Sequence, residues 1–92
     1  MPQVFSIGPY LVYFWSNEGL PLEPVHVHIA EKRPVQNATK IWITKNQKCI
    51  ICNNNSNIPE RVLNNMMEII ESRSFEVITR WKNAFGSISF YC

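Results

Sequence analysis

This sequence has no long apolar run and no recognisable leader pattern, and its number of cysteines is odd. The apolar stretch at residues 10–15 is shorter than the roughly 20 residues that cross a bilayer, and no basic residue precedes it. Three cysteines cannot all pair with one another, so a disulfide framework is not expected. These absences predict a cytoplasmic protein with reduced thiols and no membrane partner.

Sequence motifs of familiar catalytic sites are missing as well. The chain has no glycine-rich phosphate loop, no nucleophile elbow and no paired-carboxylate motif. Its composition, 46% hydrophobic and 17% charged, is that of a globular protein and excludes disorder as the main state. The 92 residues are expected to form one α+β domain over residues 1–86, followed by a tail over residues 87–92 that adds an edge strand or frays.

Acidic residues are missing from the middle of the chain. The formal net charge is only +2, but residues 32–48 contain five basic side chains and no acidic one. The five are Lys32, Arg33, Lys40, Lys45 and Lys48. Because clustered cations attract phosphate groups, this run makes RNA a candidate partner.

The first half of the sequence has the patterns of short β-strands. Five runs rich in β-branched and aromatic residues predict strands at Val4–Ile7, Tyr10–Ser16, Val25–Glu31, Thr39–Thr44 and Lys48–Cys52. Gly8 and Pro9 suit a type II′ turn, since glycine supplies the positive φ and proline the negative one. Such short connections predict an antiparallel meander.

The second half changes to a helical period. The first predicted helix has an apolar stripe of Val62, Leu63, Met66, Met67 and Ile70, preceded by a capping box in which Asn57 is the N-cap and Glu60 follows three residues on. A second helix is expected to be capped by Ser72 or Ser74 and stopped by Gly86, with a stripe of Phe75, Ile78, Trp81 or Lys82, and Phe85. The fold class is therefore α+β: a small, mostly antiparallel sheet of four to five strands packed by two C-terminal helices.

Two histidines in the stretch "PVHVHIAEKRP" are the strongest candidate site residues. On a strand, His26 and His28 share one face and lie roughly 6.6 Å apart along the backbone. Val25, Val27 and Ile29 then point to the other face, towards the predicted helices. We expect both histidines on the opposite face, at least partly exposed, and three interpretations of them are open.

The first interpretation is that the histidines are ordinary polar residues on the solvent side of a strand. The second is a divalent metal site, in which His26 and His28 form half of the ligand set and a carboxylate such as Glu18 or Glu23 completes it. Zinc held by both histidines with Cys49 and Cys52 is a further variant, which the CxxC spacing allows. Isoleucines between the cysteines resist the tight turn that a zinc-binding CxxC needs. Apart from this metal, no cofactor is expected.

The third interpretation is RNA cleavage. One imidazole, of His26 or His28, would take the 2′-hydroxyl proton while the other protonates the leaving oxygen, as two groups that titrate near neutral pH can do. Phosphates would be held by Lys32, Arg33 and Lys40, and Trp42 would stack on a base. These six residues form the candidate catalytic and nucleic-acid-binding set.

The order of several motifs resembles a known family. The patterns "MP.VF.IG.Y..YF.SNEG", "P.HVH", "K.W." and "W...F" together resemble the bacterial and archaeal domain-of-unknown-function family numbered 4160, from Met1 to about Phe85. This resemblance implies a small α+β protein without established activity, and the family's gene neighbourhoods suggest a toxin–antitoxin-like module. The chain would then be an RNA-cleaving component, or a non-catalytic protein-interaction or metal-binding domain whose aromatic face is covered by a cognate small protein or by a second copy.

Overall fold

The computed structural model describes residues 3–16 and 22–92. Its strands are β1 (Gln3–Ile7), β2 (Tyr10–Tyr13), β3 (His26–Glu31), β4 (Thr39–Ile43) and β5 (Cys49–Asn53), followed by helices α1 (Glu60–Ser72) and α2 (Ser74–Phe85). The five strands form one sheet in the order β1-β2-β3-β4-β5, and every neighbouring pair is antiparallel. The predicted α+β fold, with a meander sheet and two C-terminal helices, is confirmed.

Local chemistry accounts for the first hairpin. Gly8 has a φ of 57°, the positive value that the glycine–proline turn was predicted to need. Strand β2 ends at Tyr13, although its apolar pattern predicted a strand as far as Ser16. Residues 17–21, which include most of the predicted loop after β2, lie outside the described residues.

The hydrophobic core lies between one face of the sheet and the two helices. Val27 pairs with Ile41 and Val12 with Ile29, so the inward positions of three strands form one apolar surface. From the helices, the core receives the buried side chains Leu63, Met66, Ile70, Val77 and Trp81. Neither α1 nor α2, nor any other helix within residues 3–16 and 22–92, is long and apolar enough to cross a membrane.

The start of α1 differs from the predicted capping box. Pro59 is the N-cap, and it makes no side-chain capping hydrogen bond. Asn57 has a φ of 54°, a left-handed conformation that asparagine tolerates, so it belongs to the preceding turn. The side chain of Asn54 meets the backbone ahead of the helix instead, because its Oδ1 accepts from Ile58 N at 3.1 Å and its Nδ2 donates to Ile58 O at 2.8 Å.

Helix α2 ends as predicted, at Gly86 with a φ of 78°. Its buried face, however, is centred on Ser74, Val77 and Trp81, whereas Phe75 is 75% exposed. At about 100° of rotation per residue, Phe75 lies a quarter-turn away from Ser74 and leaves the core side. The prediction that Phe75 belongs to the apolar stripe is therefore wrong, and the prediction for Trp81 is confirmed.

Candidate functional site

The candidate site lies on the sheet face opposite the helices, here called the aromatic face and formed by Tyr13, His26, His28, Lys40 and Trp42. Across neighbouring strands, His26 pairs with Trp42, while His28 pairs with Tyr13 on one side and Lys40 on the other. Val27 pairs with Ile41 on the core side. The predicted strand parity of the two histidines is therefore confirmed.

The expected exposure of the histidines is wrong. His26 is 0% exposed and His28 7%. The two rings meet edge to face with centroids 5.1 Å apart, and His28 also lies 5.6 Å from the ring of Tyr13. His26 is the first residue of β3. Its ring centroid lies 5.6 Å from that of Trp42, on the same face of the sheet, and 5.1 Å from that of Trp81, a core residue of α2. Aromatic rings thus surround the pair where the sequence pattern predicted solvent.

A backbone segment far along the chain helps to cover this face. The hydroxyl of Tyr13 donates to Val35 O at 2.9 Å and accepts from Val35 N at 3.1 Å, which fastens the β3–β4 loop to β2. Buried Ala30 and Ala38 pack with Tyr13 in a small second cluster. Around Tyr13, the aromatic face therefore adjoins a second, smaller core.

A backbone hydrogen bond orients the ring of His26. Its Nδ1 lies 3.0 Å from the carbonyl oxygen of Pro24, and because a carbonyl can only accept, the nitrogen must carry the proton. This assignment places the lone pair of the neutral ring on Nε2. Buried and tied to its own backbone, His26 has the surroundings of a structural residue.

The predicted nucleic-acid-binding residues fall in different places. Lys32 and Arg33 are exposed in the β3–β4 loop, where Lys32 N donates to Pro9 O at 2.8 Å. Lys40 forms an ion pair with Glu23 at 2.6 Å, and its Nζ lies 4.4 Å from the centroid of the Trp42 ring. Exposed Lys45 and Lys48 follow β4 at its other end. The acid-free run is therefore spread along the whole length of β4, with Trp42 within it.

Trp42 makes a stacking contact with the C-terminal tail. Its ring stacks on that of Tyr91 in the C-terminal tail, with centroids 4.8 Å apart and planes inclined by only 5°. The tail has no strand structure, and Ser89 O accepts a hydrogen bond from Val25 N at 2.9 Å. Sequence reasoning missed Tyr91. The alternation of apolar and polar residues in the tail indicates which side chains share a side, but not which part of the protein they contact.

The proposed metal ligands are not brought together in the described residues. Glu18 lies outside those residues, and Glu23 is paired with Lys40. Cys49 is half-buried and Cys52 exposed, three residues apart on a strand, so they point to opposite faces. Within residues 3–16 and 22–92, no group of three or more histidine, cysteine, aspartate or glutamate side chains is arranged to hold a metal ion.

The thiol of Cys49 has an environment unsuited to a ligand or a nucleophile. Burial, together with the nearby charge of Glu71, raises the pKa of Cys49 to about 12. Its Sγ lies 3.7 Å from Met67 O, and its backbone N–H donates to Glu71 Oε2 at 2.8 Å. Because metals and electrophiles react with the thiolate, this cysteine is a packing residue at neutral pH.

The fold and the site together define a small α+β domain whose aromatic face is covered by its own loop and tail. A family model described as Domain of unknown function (DUF4160) matches residues 10–82. The chain belongs to this family, and the resemblance predicted from its motifs is confirmed. Searches of the curated proteins and of the solved structures gave no significant match.

Proposed function

We propose that this protein is a non-catalytic protein-interaction domain that binds a cognate small protein, as one component of a toxin–antitoxin-like module. The burial of His26 and His28 supports this proposal over RNA cleavage, because a general acid or base must come within hydrogen-bond reach of its substrate. Residues 3–16 and 22–92 also enclose no pocket in which a substrate would lie. A flat surface or a sheet edge is then the natural place for a partner.

The observation that carries the proposal is the edge of β5 that faces away from β4. Among the described residues, this strand ends the sheet and pairs with β4 alone. No charged side chain occurs from Cys49 to Pro59, and Ile51 is 44% exposed. Proteins usually protect such edges with lysine or proline, so an uncharged, apolar edge strand fits one that accepts a strand from a partner.

The hydrogen bonds of β5 indicate which of its main-chain N–H and C=O groups face away from β4. Thr44 N donates to Lys48 O at 2.8 Å, so Lys48 directs its main-chain groups towards β4. Because the direction alternates along an antiparallel strand, Ile50 also faces β4 while Cys49 and Ile51 face outward. The bond from Cys49 N to Glu71 agrees with this assignment. The N–H and C=O of Ile51 are thus the central groups available to a partner strand.

Proline at position 51 provides a sharp test. Ile51→Pro removes an outward N–H that β4 does not use, so the fold is expected to survive while pairing with the partner strand is lost. The protein would be co-expressed with the product of its neighbouring gene, and complex formation measured by co-purification and analytical ultracentrifugation. Ile51→Val is the matched control and should keep the complex.

Two results would overturn the interaction proposal. One is a wild-type complex that Ile51→Pro leaves intact, since the partner would then bind elsewhere. The other is the absence of any complex together with salt-sensitive binding of RNA. Circular dichroism melts of Ile51→Pro and Ile51→Val show whether a lost complex reflects a lost edge or a lost fold.

RNA binding is a second candidate function, favoured by the acid-free run along β4. Lys32 and Arg33 lie at one end of this strand and Lys45 and Lys48 at the other, with Trp42 between them. Replacing Lys32 and Arg33 by alanine should flatten the dependence of log K on log salt by about one to two, because each lost phosphate contact releases roughly one counterion fewer. A slope unchanged by this double replacement would contradict the role of both residues.

A further inference from the structure

The stacked pair of Trp42 and Tyr91 has the geometry of a base-binding site with its own cover. We propose that Trp42 is a stacking site for a nucleobase of single-stranded RNA, and that Tyr91 of the C-terminal tail covers it. This inference rests on the second candidate function, RNA binding along β4. It adds to the base-stacking role that the sequence predicts for Trp42 the residue that regulates access to it.

The orientation of the two rings supports this assignment. Aromatic side chains in proteins adopt both offset-stacked and edge-to-face arrangements, and the other ring pairs of this face lie at 33° or more to each other. Tyr91 and Trp42 are parallel to within 5° at 4.8 Å, the arrangement in which a base stacks on a protein ring. Tyr91 therefore occupies the position that a base would take.

The tail is built so that Tyr91 can leave while its neighbours stay. Ile88 and Phe90 pack against the main hydrophobic core, and Val25 and Lys45 donate backbone hydrogen bonds to Ser89 O and Cys92 O. Tyr91 itself is 57% exposed. Because exposed side chains change rotamer within nanoseconds, uncovering Trp42 requires the movement of one ring and not the release of the tail.

Charge around Trp42 suits a nucleotide. Lys40 lies against its ring at 4.4 Å, with Glu23 as its ion-pair partner. Exposed Lys45 and Lys48 follow at the end of β4, within a stretch that contains no acidic residue. An RNA strand with one base on Trp42 would run along β4 towards Lys45 and Lys48, and neither of these lysines belongs to a described salt bridge.

Removal of the Tyr91 ring is the direct test. Binding of a fluorescein-labelled oligouridine would be measured by fluorescence anisotropy at low salt for the wild type, Tyr91→Ala and Tyr91→Phe. Tyr91→Ala should bind about tenfold more tightly, within the range that one base–aromatic stack contributes. Tyr91→Phe keeps the ring and should bind like the wild type. The double variant Trp42→Ala/Tyr91→Ala should lose the gain.

The outcomes separate this inference from the function on which it rests. Equal affinity of the wild type and Tyr91→Ala would overturn the covering role while leaving RNA binding in place. Weaker binding by Tyr91→Ala would also overturn it, because Tyr91 would then be a contact and not a cover. If no variant binds oligouridine, both this inference and the RNA function fail. Thermal melts of the same samples establish that the variants are folded.

Discussion

The hydroxyl of Ser56 joins β3 and β4 at the point where the two strands separate. Thr39 N donates to Ser56 Oγ at 3.0 Å, and the same hydroxyl donates to Ile29 O at 2.8 Å. Ser56 N in turn donates to Thr39 Oγ1 at 3.1 Å, and Thr39 Oγ1 donates to Asn54 Oδ1 at 2.7 Å. The asparagine-rich stretch after β5, which its composition predicts as a loop, is therefore fastened to the sheet by a closed set of hydrogen bonds.

Replacing Ser56 by alanine should destabilise the protein by about 1–3 kcal/mol. The change removes the shared partner of Thr39 N and Ile29 O, and Thr39 is fully buried, so its N–H cannot turn to solvent instead. Urea unfolding measures the loss. Asn55→Ala, in the same loop but exposed, is the control and should change stability by less than about 0.5 kcal/mol.

Truncating Trp81 to alanine should cost about 3–5 kcal/mol, because its ring is fully buried against Phe14 and Phe85 and a cavity would remain. Thermal unfolding of the Trp81→Ala variant and the wild type measures this loss of stability. Phe75→Ala, on the same helix but largely exposed, should be nearly neutral. Equal shifts in melting temperature for the two variants would show that the assignment of the buried face of α2 is incorrect.

The fold was predictable because the sequence patterns that indicate its strands and helices are local. The burial of the candidate site, in contrast, depends on residues far away in the sequence. Alternation around Val27 is enough to place His26 on the opposite face, and this parity is observed. Burial of His26 requires Trp81, which approaches from α2, and the loop over the same face is held by Val35. No pattern near the histidines encodes these contacts. Asn54, which bonds the backbone before α1 in place of Asn57, likewise accepts a hydrogen bond from Thr39, a residue of β4 that no pattern near α1 indicates.

Lys32 is a position where a substitution should stabilise the protein. Its φ of 71° is left-handed, which strains a residue with a Cβ, whereas glycine adopts it without steric strain and loses only additional chain entropy on folding. Lys32→Gly should therefore raise the free energy of unfolding by up to about 1 kcal/mol, as measured with urea. Lys32→Ala removes the same charge but keeps the Cβ, so it controls for electrostatics and should give no such gain.

The three thiols should differ in reactivity. A pKa raised to about 12 means that the Cys49 thiolate becomes populated only near that pH, whereas Cys52 and Cys92 are exposed. At pH 8, a thiol reagent such as DTNB should modify Cys52 and Cys92 quickly and Cys49 only after denaturation. Cys49→Ser should leave the fast phase unchanged. A third fast thiol in the native wild-type protein would contradict the described environment of Cys49.

Replacement of His26 by alanine separates a structural role from a catalytic one. The structure predicts a loss of about 2–4 kcal/mol in stability, since the change empties space beside Trp42 and Trp81 and removes the bond to Pro24 O. Under the RNA-cleavage hypothesis, the variant would also lose activity by about 10²–10⁴-fold, the usual contribution of a positioned acid or base. Urea unfolding and an assay of RNA cleavage on the same samples distinguish the two. A destabilised variant whose wild-type parent cleaves no RNA would support a structural role of His26 beside Trp42 and Trp81 and would contradict the RNA-cleavage hypothesis.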